Sequence, residues 1–514
     1  MFSTTITGTV HGVQAYLVRV EADVSGGLPA FLMVGSLSLE TREARERVMV
    51  SLKNKGIQIP PRHITVNLSP GDRRKDGTAF DLGIAVAILK ATEMIPSLEH
   101  ENTLFLGELG LGGEIRPAKG VLPIVQEAVR QGIKECIVPM DNAKEAAVIP
   151  GIDVRGARDI TQVIDYLSAG KGKGEKILPL IQQAMPAMDS LKGTKDITDF
   201  SEIAGQEMAK RAAEIAAAGF HNLLMVGPPG VGKSMIAGCL AGILPPLTRE
   251  ESLEVTSIKS IAGQMEAGET LCVQRPFVSP HHSISLSALV GGGTIPKPGR
   301  ISLAHRGVLF LDELPEFDRN VLDALRQPLE ERKIHISRVG GNVAFPSDFI
   351  FVGAMNPCPC GYYPDRNRCH CSEPEVARYM RKVSGPILDR IDLCVELQPV
   401  AMGYLGKDNQ RETSEIIRKR VERAREIQFR RFRNTSFQFN GDIPGPKVEE
   451  YCDLGIRELK CMEELYGNLQ LSVRSYHRIL RVARTIADMD EKERIGVEHL
   501  MEAAMYRPSL EYWK

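Results

Sequence analysis

One glycine-rich stretch constrains the fold of this chain more than any other feature. Residues 223–226 are apolar, as in a strand that is buried on both faces, and residues 235–243 are compatible with a helix. The segment between them follows the pattern G-x-x-x-x-G-K-S, which predicts a phosphate-binding loop between a strand and a helix. Its residues are Gly227, Pro228, Pro229, Gly230, Val231, Gly232, Lys233 and Ser234.

The residue types in this loop explain the prediction. Glycines allow successive backbone N–H groups to point toward one phosphate, and the start of a helix adds partial positive charge. Lys233 can reach the β and γ phosphates of a nucleotide, and the Ser234 hydroxyl can hold Mg²⁺. A plain glycine turn would not require lysine and serine at these two positions. We therefore predict that residues 227–234 bind the phosphates of a nucleotide.

Two further apolar segments predict the polar groups that complete such a site. Residues 308–311 precede Asp312 and Glu313, and residues 349–355 precede Asn356. Open α/β sheets bind ligands at the carboxyl ends of their strands, where these side chains are expected. Asp312 would orient the Mg²⁺ shell, and Glu313 would act as general base toward the attacking water. The Asn356 amide could contact the γ-phosphate or that water.

Length and composition limit the class of protein. A chain of 514 residues is too long for one hydrophobic core, so two or three domains are expected. The formal net charge is −1, so a nucleic-acid partner would need a local basic surface or pore. The first residues lack the pattern of a signal peptide, and no apolar run is long enough to span a membrane. We expect a cytoplasmic protein.

Four of the ten cysteines form a candidate metal site. Two C-x-C pairs that close one loop can hold a structural Zn²⁺ through four thiolates, with no open position. Such pairs are less common than C-x-x-C pairs in zinc sites, and free thiols in a reducing cytosol are the alternative. His370 is an alternative ligand, whereas His281 and His282, without a second ligand pair, are expected to bond near the nucleotide or a pore. The four thiols are Cys358, Cys360, Cys369 and Cys371.

The order of segments predicts a multidomain α/β protein. Residues 1–168 alternate strand-like and helix-like segments and predict an α/β domain. Residues 169–195 are rich in Gly and Lys and predict a linker. Residues 196–400 hold the phosphate loop and predict an αβα core, with the cysteine-rich loop at 357–372. Residues 401–514 predict an all-α C-terminal region.

The N-terminal domain resembles that of a known family. Residues 27–35, 66–72 and 105–117 resemble the N-terminal domain of the YifB/ComM family of magnesium-chelatase-like AAA+ proteins. That domain in turn resembles the proteolytic domain of Lon, which uses a serine nucleophile activated by a lysine. The matching positions here are Ala79 and Leu122, so the resemblance implies a Lon-like domain that is structural or binds a partner and is not a protease. The neighbouring hydroxyl of Thr78 has no evident partner base.

The resemblance extends to the core and the C-terminal region. Residues 199–206 resemble the segment that contacts adenine in AAA+ proteins, which implies ATP as the nucleotide. Residues 385–393 resemble the segment whose arginine reaches the ATP of a neighbouring subunit. This likeness implies that Arg390 acts in trans in a ring, expected to be a homohexamer; an ion pair with a neighbouring aspartate is its alternative role. Residues around Arg474 resemble sensor 2, which implies a position over the phosphates from the C-terminal lid.

Two inserts in the core resemble those of the clade that holds magnesium chelatase and the MCM helicases. One is the glycine-rich segment 290–300, and the other is the hairpin pattern at 333–345. In ring helicases of that clade such hairpins project into the pore and grip DNA. Basic residues here could meet phosphates, and exposed hairpin charges without a partner are an equal alternative. These residues are Lys297, Arg300, Lys333 and Arg338.

Over the whole chain the resemblance implies a AAA+ ATPase of the YifB/ComM family, with ATP, Mg²⁺ and a candidate Zn²⁺. For ComM-like members it implies a DNA translocase or helicase that acts on branched or single-stranded DNA and promotes branch migration in recombination and natural transformation. The alternatives are a magnesium-chelatase-like motor and a protein-remodelling ATPase without DNA activity. The chelatase motor subunit typically lacks the N-terminal domain, and a Lon-like protease would need the missing Ser and Lys.

Overall fold

The computed structural model of the chain describes residues 1–96, 100, 102–169, 174–182, 198–266, 269–293, 296–338, 341–400 and 411–507. A mixed α/β region, a region built on a parallel sheet and a helical region follow one another. None of the described helices combines the length and the apolar character that crossing a bilayer requires.

The N-terminal region is built on a mixed sheet with helices on both faces. Its strands are β1 (Phe2–His11), β2 (Gln14–Ser25), β3 (Ala30–Val34), β4 (His63–Ser69), β5 (Thr103–Phe105), β6 (Glu108–Leu109), β7 (Ile115–Arg116), β8 (Glu135–Pro139) and β9 (Asp153–Ala157). Its helices are α1 (Leu39–Arg42), α2 (Ala44–Asn54), α3 (Asp81–Ala91), α4 (Val121–Arg130), α5 (Ala143–Ala146) and α6 (Ile160–Ser168). The main sheet has the order β3-β4-β2-β1-β5-β8-β9, and β6 pairs with β7 in a separate hairpin.

Helix α3 is the centre of this region. Every residue of α3 is buried, as expected for a helix without a polar face. The helix packs across β1 and β2, and two hydroxyls of β1 bond its backbone carbonyls. Ser3 Oγ donates to the oxygen of Ala87 at 2.6 Å, and Thr5 Oγ1 donates to the oxygen of Gly83 at 2.9 Å. These bonds fix how the helix lies across the sheet.

The core region is built on a five-stranded parallel sheet. Its strands are β10 (Leu223–Val226), β11 (Phe277–Val278), β12 (Gly291–Gly292), β13 (Lys297–Pro298), β14 (Val308–Leu311), β15 (Lys333–Arg338), β16 (Gly341–Pro346), β17 (Ile350–Met355) and β18 (Leu393–Glu396). Its helices are α7 (Glu207–Gly219), α8 (Lys233–Ile243), α9 (Arg249–Ala262), α10 (Leu286–Val290), α11 (Arg300–Leu303), α12 (Arg319–Asp323), α13 (Arg326–Glu331), α14 (Glu373–Met380) and α15 (Gly385–Leu388). The sheet order is β11-β14-β17-β10-β18, while β12–β13 and β15–β16 form separate hairpins.

The C-terminal region is helical and shares one hydrophobic cluster with α7 and α8. Its helices are α16 (Ser414–Arg431), α17 (Val448–Tyr451), α18 (Ile456–Asn468), α19 (Val473–Met489) and α20 (Val497–Met505). A buried carboxylate, Asp488, ties α16 to α19, because Arg431 Nη1 donates to its Oδ2 at 2.7 Å. Arg484, one turn earlier on α19, donates to the same carboxylate at 3.0 Å.

Part of the predicted linker lies outside the described residues, namely 170–173 and 183–195. The described part, residues 174–182, packs along the edge of the N-terminal sheet at β9. The Arg155 guanidinium donates to the oxygen of Leu178 at 2.5 Å, and the N–H of Ile181 donates to the oxygen of Val154 at 2.9 Å. This stretch therefore extends the N-terminal region.

The N-terminal region also contacts the core through α9. The N–H of Gly120, just before α4, donates to the oxygen of Ser260 on α9 at 3.1 Å. Leu253 on the same helix packs with the apolar side chains of α4 and α5. Helix α9 thus links the first sheet to the core that carries the phosphate loop.

Candidate nucleotide site

The parallel core sheet brings the predicted polar groups to one edge. In β10, Val226 is paired with Met355 of β17, and in β14, Leu311 is paired with Gly353 of β17. Because the strands are parallel, all three end at the same edge of the sheet. The glycine loop after β10, the acidic pair after β14 and Asn356 after β17 are therefore neighbours in space.

Lys233 links two of these strand ends. Its Nζ donates to Asn356 Oδ1 at 2.9 Å and to the backbone oxygens of Gly227 at 2.5 Å and Pro228 at 3.0 Å. The side chain is buried, and burial lowers the pKa of Lys233 to about 8 against the opposing effect of the nearby acidic pair. The ammonium is thus held under the loop by acceptors that a phosphate could replace.

The loop has the backbone that its glycines allow. Gly230 and Gly232 have φ values of +80° and +95°, in the left-handed region that side chains disfavour. A Cβ at Gly227 would lie 2.6 Å from the oxygen of Leu397, so only glycine fits at this close approach. Helix α8 begins at Lys233, and its first N–H groups therefore face the space enclosed by the loop.

Ser234 and Asp312 form a pair of oxygen ligands. Ser234 Oγ donates to Asp312 Oδ2 at 2.7 Å, and the other carboxylate oxygen accepts the N–H of Glu313 at 2.9 Å. A hydroxyl and a carboxylate at this distance suit Mg²⁺, which binds oxygen ligands and keeps several waters. The two side chains expected to hold Mg²⁺ are thus already adjacent.

Glu313 has a partner that the sequence analysis missed. Its backbone is left-handed, with φ of +51°, and its exposed carboxylate lies 3.4 Å from Nδ1 of His282. The His281 ring lies beside His282, with 4.0 Å between centroids and a tilt of 35° between the ring planes. His282 follows β11, which neighbours β14, so the order of the strands explains why it meets the residue after β14. The sequence analysis placed this histidine pair near the nucleotide or a pore but named no partner for it.

The segment before α7 borders the glycine loop from another side. Gln206 Nε2 donates to the oxygens of Val231 at 3.2 Å and Gln398 at 2.7 Å. A Cβ at Gly205 would lie 3.3 Å from Val400. The segment for which adenine contact was predicted therefore lies against the loop.

Arg390 lies at the opposite edge of the sheet. Asn222, the residue before β10, donates from Nδ2 to the oxygen of Arg390 at 2.8 Å. The Arg390 guanidinium forms an ion pair with Glu330 and donates to the oxygen of Pro386. The length of β10 separates this arginine from the glycine loop of its own chain, and its side-chain partner is Glu330 rather than a neighbouring aspartate.

Arg474 lies beside Arg390. Its guanidinium is 3.1 Å from Oδ2 of Asp389, the residue before Arg390. Both arginines line a cavity of about 550 Å³ between the core and the helical region. The structure thus brings the two predicted arginines together at the amino edge of the sheet, where its parallel strands begin. The glycine loop, near which sensor 2 had been expected to lie, is at the other edge. Their roles toward a nucleotide stay predictions.

Comparisons with known proteins agree across the chain. The family described as magnesium chelatase, subunit ChlI, matches residues 199–405, and those described as subunit ChlI of Mg-chelatase and its C-terminal part match 20–142 and 411–507. The competence protein ComM of Haemophilus influenzae is 43% identical over 497 residues, which cover 96% of this chain and 95% of that protein. The uncharacterized protein YifB of Escherichia coli is 41% identical over 504 residues, 98% of this chain and 96% of that protein.

The chain belongs to the YifB/ComM family of magnesium-chelatase-like proteins. Its likeness to the magnesium-chelatase 38 kDa subunit of Cereibacter sphaeroides is more limited, 28% identity over 174 residues, 31% of this chain and 52% of that protein. Membership makes the core a AAA+-like domain, a class that implies a nucleotide and Mg²⁺. The glycine loop and the Ser234–Asp312 pair have the chemistry to hold both.

The two inserts of this YifB/ComM-family chain touch each other. A Cβ at Gly291, in β12, would lie 3.2 Å from Cδ1 of Ile336, in β15. Lys297, Arg300 and Lys333 are exposed on or beside these hairpins. The side chain of Arg338 lies outside the described part of the structure. DNA contact by these residues stays a prediction.

The four clustered cysteines converge. Their sulfur atoms all lie within 4.8 Å of one another, with Cys358 Sγ 3.3 Å from Cys360 Sγ and 3.7 Å from Cys369 Sγ. Tetrahedral zinc–thiolate bonds of about 2.3 Å would place sulfur atoms about 3.8 Å apart. All four are free thiols, and among the described residues the candidate ligand group is formed by these cysteines without His370. The cluster therefore fits the expected zinc ligands, with Cys371 as its fourth member.

In the N-terminal region, Ala79 and Leu122 pack in one apolar cluster. Thr78 Oγ1 donates to Glu108 Oε2 at 2.5 Å, so this hydroxyl has the carboxylate partner that the sequence did not reveal. Glu108 also lies 3.9 Å from Arg116. The turn after residue 76 thus holds a polar pair next to the apolar positions that replace serine and lysine.

Proposed function

We propose that this protein is an ATP hydrolase. The observation that carries the proposal is the convergence of Lys233, Ser234, Asp312 and Asn356 by direct hydrogen bonds around a glycine loop at one sheet edge. A phosphate chain has acceptor oxygens for the ammonium and for the N–H groups of the loop. Gln206, at the rim of the loop, supports adenine as the base, as the family resemblance implies.

Each side chain has a role that follows from its chemistry. Lys233 would exchange its carbonyl acceptors for phosphate oxygens, and Ser234 with Asp312 would hold Mg²⁺, which neutralises charge on the phosphates. Glu313 would take a proton from the attacking water, and Asn356 would orient that water or the γ-phosphate. Release of Glu313 from His282 would free the carboxylate for this role.

The position of Arg390 supports a ring. An arginine at the amino edge of the sheet can serve a phosphate at the carboxyl edge only if the phosphate belongs to another subunit. We propose that Arg390 enters the site of a neighbour and that Arg474, which shares its edge, enters with it. A closed ring gives every subunit such a neighbour, and a homohexamer is the assembly that the family resemblance implies.

The work that ATP hydrolysis drives is proposed to be translocation on DNA. The competence protein ComM, similar over nearly the whole chain, and the exposed basic side chains at the two inserts support this choice. We propose a cytoplasmic DNA translocase or helicase that acts on branched or single-stranded DNA and promotes branch migration in recombination and natural transformation. A magnesium-chelatase-like role is less well supported, because the chelatase subunit is similar over only 31% of the chain.

Two further parts complete the proposal. We propose that the N-terminal domain is Lon-like in fold but not proteolytic, because Ala79 and Leu122 carry no reactive group. It would then bind a partner or support the ring. We also propose that the four converging thiols hold one structural Zn²⁺, which leaves no open position for catalysis.

The test is ATP turnover by the full chain with no DNA, single-stranded DNA, duplex DNA and a four-way junction. Lys233→Ala provides the blank, because a protein without this ammonium should not hold ATP. Stimulation that is greatest with the junction is the expected result. Turnover that no DNA changes would contradict DNA translocation and favour a protein-remodelling role, with the N-terminal domain as the place to seek the partner.

A further inference from the structure

The cysteine-rich loop packs directly against the glycine loop. Gly361, between the two C-x-C pairs, has φ of +86°, and a Cβ there would lie 2.8 Å from Cδ of Pro229. The same Cβ would lie 3.8 Å from the amide carbon of Asn356. The tip of the cysteine-rich loop therefore lies against both the glycine loop and the side chain that bonds Lys233.

Two further links join the glycine loop to residues 355 and 356, which directly precede the cysteine-rich loop. The N–H of Gly227 donates to the oxygen of Met355 at 3.1 Å, and Lys233 Nζ bonds the side chain of Asn356. Asn356 lies only two residues before Cys358, the first thiol of the cluster. A shift at Cys358 is thus transmitted to Asn356 through a very short segment of backbone.

The two loops also enclose a cavity together. It has a volume of about 380 Å³, and its walls come from the glycine loop, from the cysteine-rich loop and from the segment after β18. Pro228, Tyr362, Tyr363 and Leu397 are among its lining residues. One wall of the cavity beside the glycine loop is therefore formed by residues of the cysteine-rich loop.

The cysteine-rich loop is held by packing on the core and by contacts within the loop, with the thiols at its base. Cys358 and Cys369 belong to the core cluster, and Tyr362 and Tyr363 pack against it. Residues 357–372, all of them described, contain neither helix nor strand. Turn hydrogen bonds, such as that from the N–H of Cys369 to the oxygen of Asp365 at 2.7 Å, and the stacking of Arg368 on Tyr362 at 3.9 Å are local. The cluster brings both ends of the loop together, with Cys358 Sγ 3.7 Å from Cys369 Sγ. Four bonds to a metal at this base would close the loop.

We propose that zinc occupancy of the cysteine cluster sets the affinity of the glycine loop for ATP. The inference rests on the zinc and nucleotide sites proposed above and adds that the first regulates the second. With zinc bound, Gly361 supports Pro229 and the base of the loop keeps Asn356 next to Lys233. Without zinc the ends of the loop separate, the wall of the cavity moves, and Lys233 loses its side-chain partner. Loss of one hydrogen bond to a charged group can weaken binding about tenfold or more.

The experiment measures zinc content and the Kd of a fluorescent ATP analogue on the full chain with Mg²⁺ in excess. Three preparations are compared: native protein, native protein stripped of zinc and freed of chelator, and stripped protein reloaded with Zn²⁺. Native protein should hold one zinc per chain, stripping should raise the Kd about tenfold, and reloading should restore it. Unchanged Kd in stripped protein that keeps its circular dichroism would overturn the inference.

Variants separate the metal from the contact it supports. Cys360→Ser with Cys371→Ser should lose zinc and raise the Kd, while Cys461→Ser, a partly exposed thiol in α18, should change neither. Gly361→Ala should keep zinc and still raise the Kd, because the methyl group meets Pro229. Gly467→Ala, where a Cβ has open space, is its control. A Gly361→Ala protein with native Kd would overturn the proposed route from zinc to ATP.

The outcomes also distinguish failure of the inference from failure of the proposed function. Native protein that contains zinc but binds no ATP analogue would refute the nucleotide site itself, and Lys233→Ala would then match the native protein. Native protein that binds the analogue but contains no zinc would refute the metal site and the inference with it. Zinc and ATP binding that are both present but independent would refute the inference alone.

Discussion

The carboxyl and amino edges of the core sheet differ in how their polar groups are partnered. At the carboxyl edge, Lys233 bonds Asn356 and Ser234 bonds Asp312, so the groups that would meet one nucleotide already contact one another. At the amino edge, Arg390 and its neighbouring arginine bond acidic residues of their own chain beside an open cavity. The groups of the first edge contact one another around the glycine loop, and the two cations of the second edge pair with acidic side chains of their own chain.

Under the function proposed above, this difference means that one subunit would carry two incomplete halves of a catalytic site. Phosphate binding needs only the carboxyl edge, because its ammonium and N–H groups are contributed by one loop. In the proposed ring, charge that develops in the transition state would be met by Arg390 of a second copy. Binding of ATP should therefore be a property of the chain, and turnover a property of the assembly.

The largest effect is expected from the carboxyl edge. Lys233→Ala removes the ammonium and leaves a buried space under the loop, so binding of an ATP analogue should be lost. Titration of the analogue measures this loss, and sedimentation should show the same assembly as the native protein. Tight binding of the analogue by Lys233→Ala would contradict the assignment of the glycine loop.

Arg390→Ala should separate turnover from binding. The variant should bind the ATP analogue like native protein, because the arginine lies at the other edge, while turnover falls by about 10³-fold or more. Steady-state phosphate release and analogue titration measure the two properties. A matched control is Arg423→Ala, which removes an exposed arginine of α16 that pairs with Glu491. A large rise in the Kd of Arg390→Ala would mean that the two edges are not independent.

The affinity for ATP should fall as the pH rises above 8. Burial lowers the pKa of Lys233 to about 8, so the free protein loses this proton as the pH rises through that value. Phosphate favours the charged ammonium, so binding above this pH must take up a proton, at a cost of up to about tenfold in affinity per pH unit. Kd measured on both sides of pH 8 tests this.

Lys233→Arg is the control for the pH dependence. Arginine stays charged throughout this range, so its variant should bind more weakly than native protein but with a smaller change across pH 8. An equal change in both proteins would assign the pH dependence to another group.

A smaller effect is expected at Glu313. Its carboxylate lies against His282, and a carboxylate held by a histidine is less available to accept a proton from water. His282→Ala should therefore raise turnover without DNA by a few-fold, about the effect of releasing one weak polar contact. His281→Ala is the control, because that ring contacts His282 rather than Glu313. Lower turnover in His282→Ala would instead make the histidine a positioning residue.

The carboxyl edge could be predicted from sequence because each of its parts is a short continuous pattern. The loop residues, the acidic pair and Asn356 each follow an apolar strand directly, and parallel pairing then brings the strand ends together. The helix expected at 235–243 begins at Lys233, a difference of two residues.

The amino edge could not be predicted in this way, because its contacts join segments far apart in the chain. Glu330 lies sixty positions before Arg390, and Asp389 is reached by Arg474 from the helical region. The contact of His282 with Glu313 depends on the pairing of β11 with β14. A strand of two residues such as β11 leaves no sequence pattern from which this pairing could be predicted. The carboxylate partner of Thr78 was missed for the same reason. Sequence patterns show local segments, and contacts between distant segments need the fold.

The most direct test of the two half-sites is turnover by mixed subunits. Glu313→Gln disables the carboxyl edge, Arg390→Ala disables the amino edge, and each protein alone should be inactive. Mixed together they should regain turnover, because an Arg390→Ala subunit next to a Glu313→Gln subunit forms one complete site. A mixture of Lys233→Ala with Glu313→Gln, both at the carboxyl edge, should regain none. Turnover absent from the first mixture, in assemblies that contain both subunits, would contradict a site shared between neighbours.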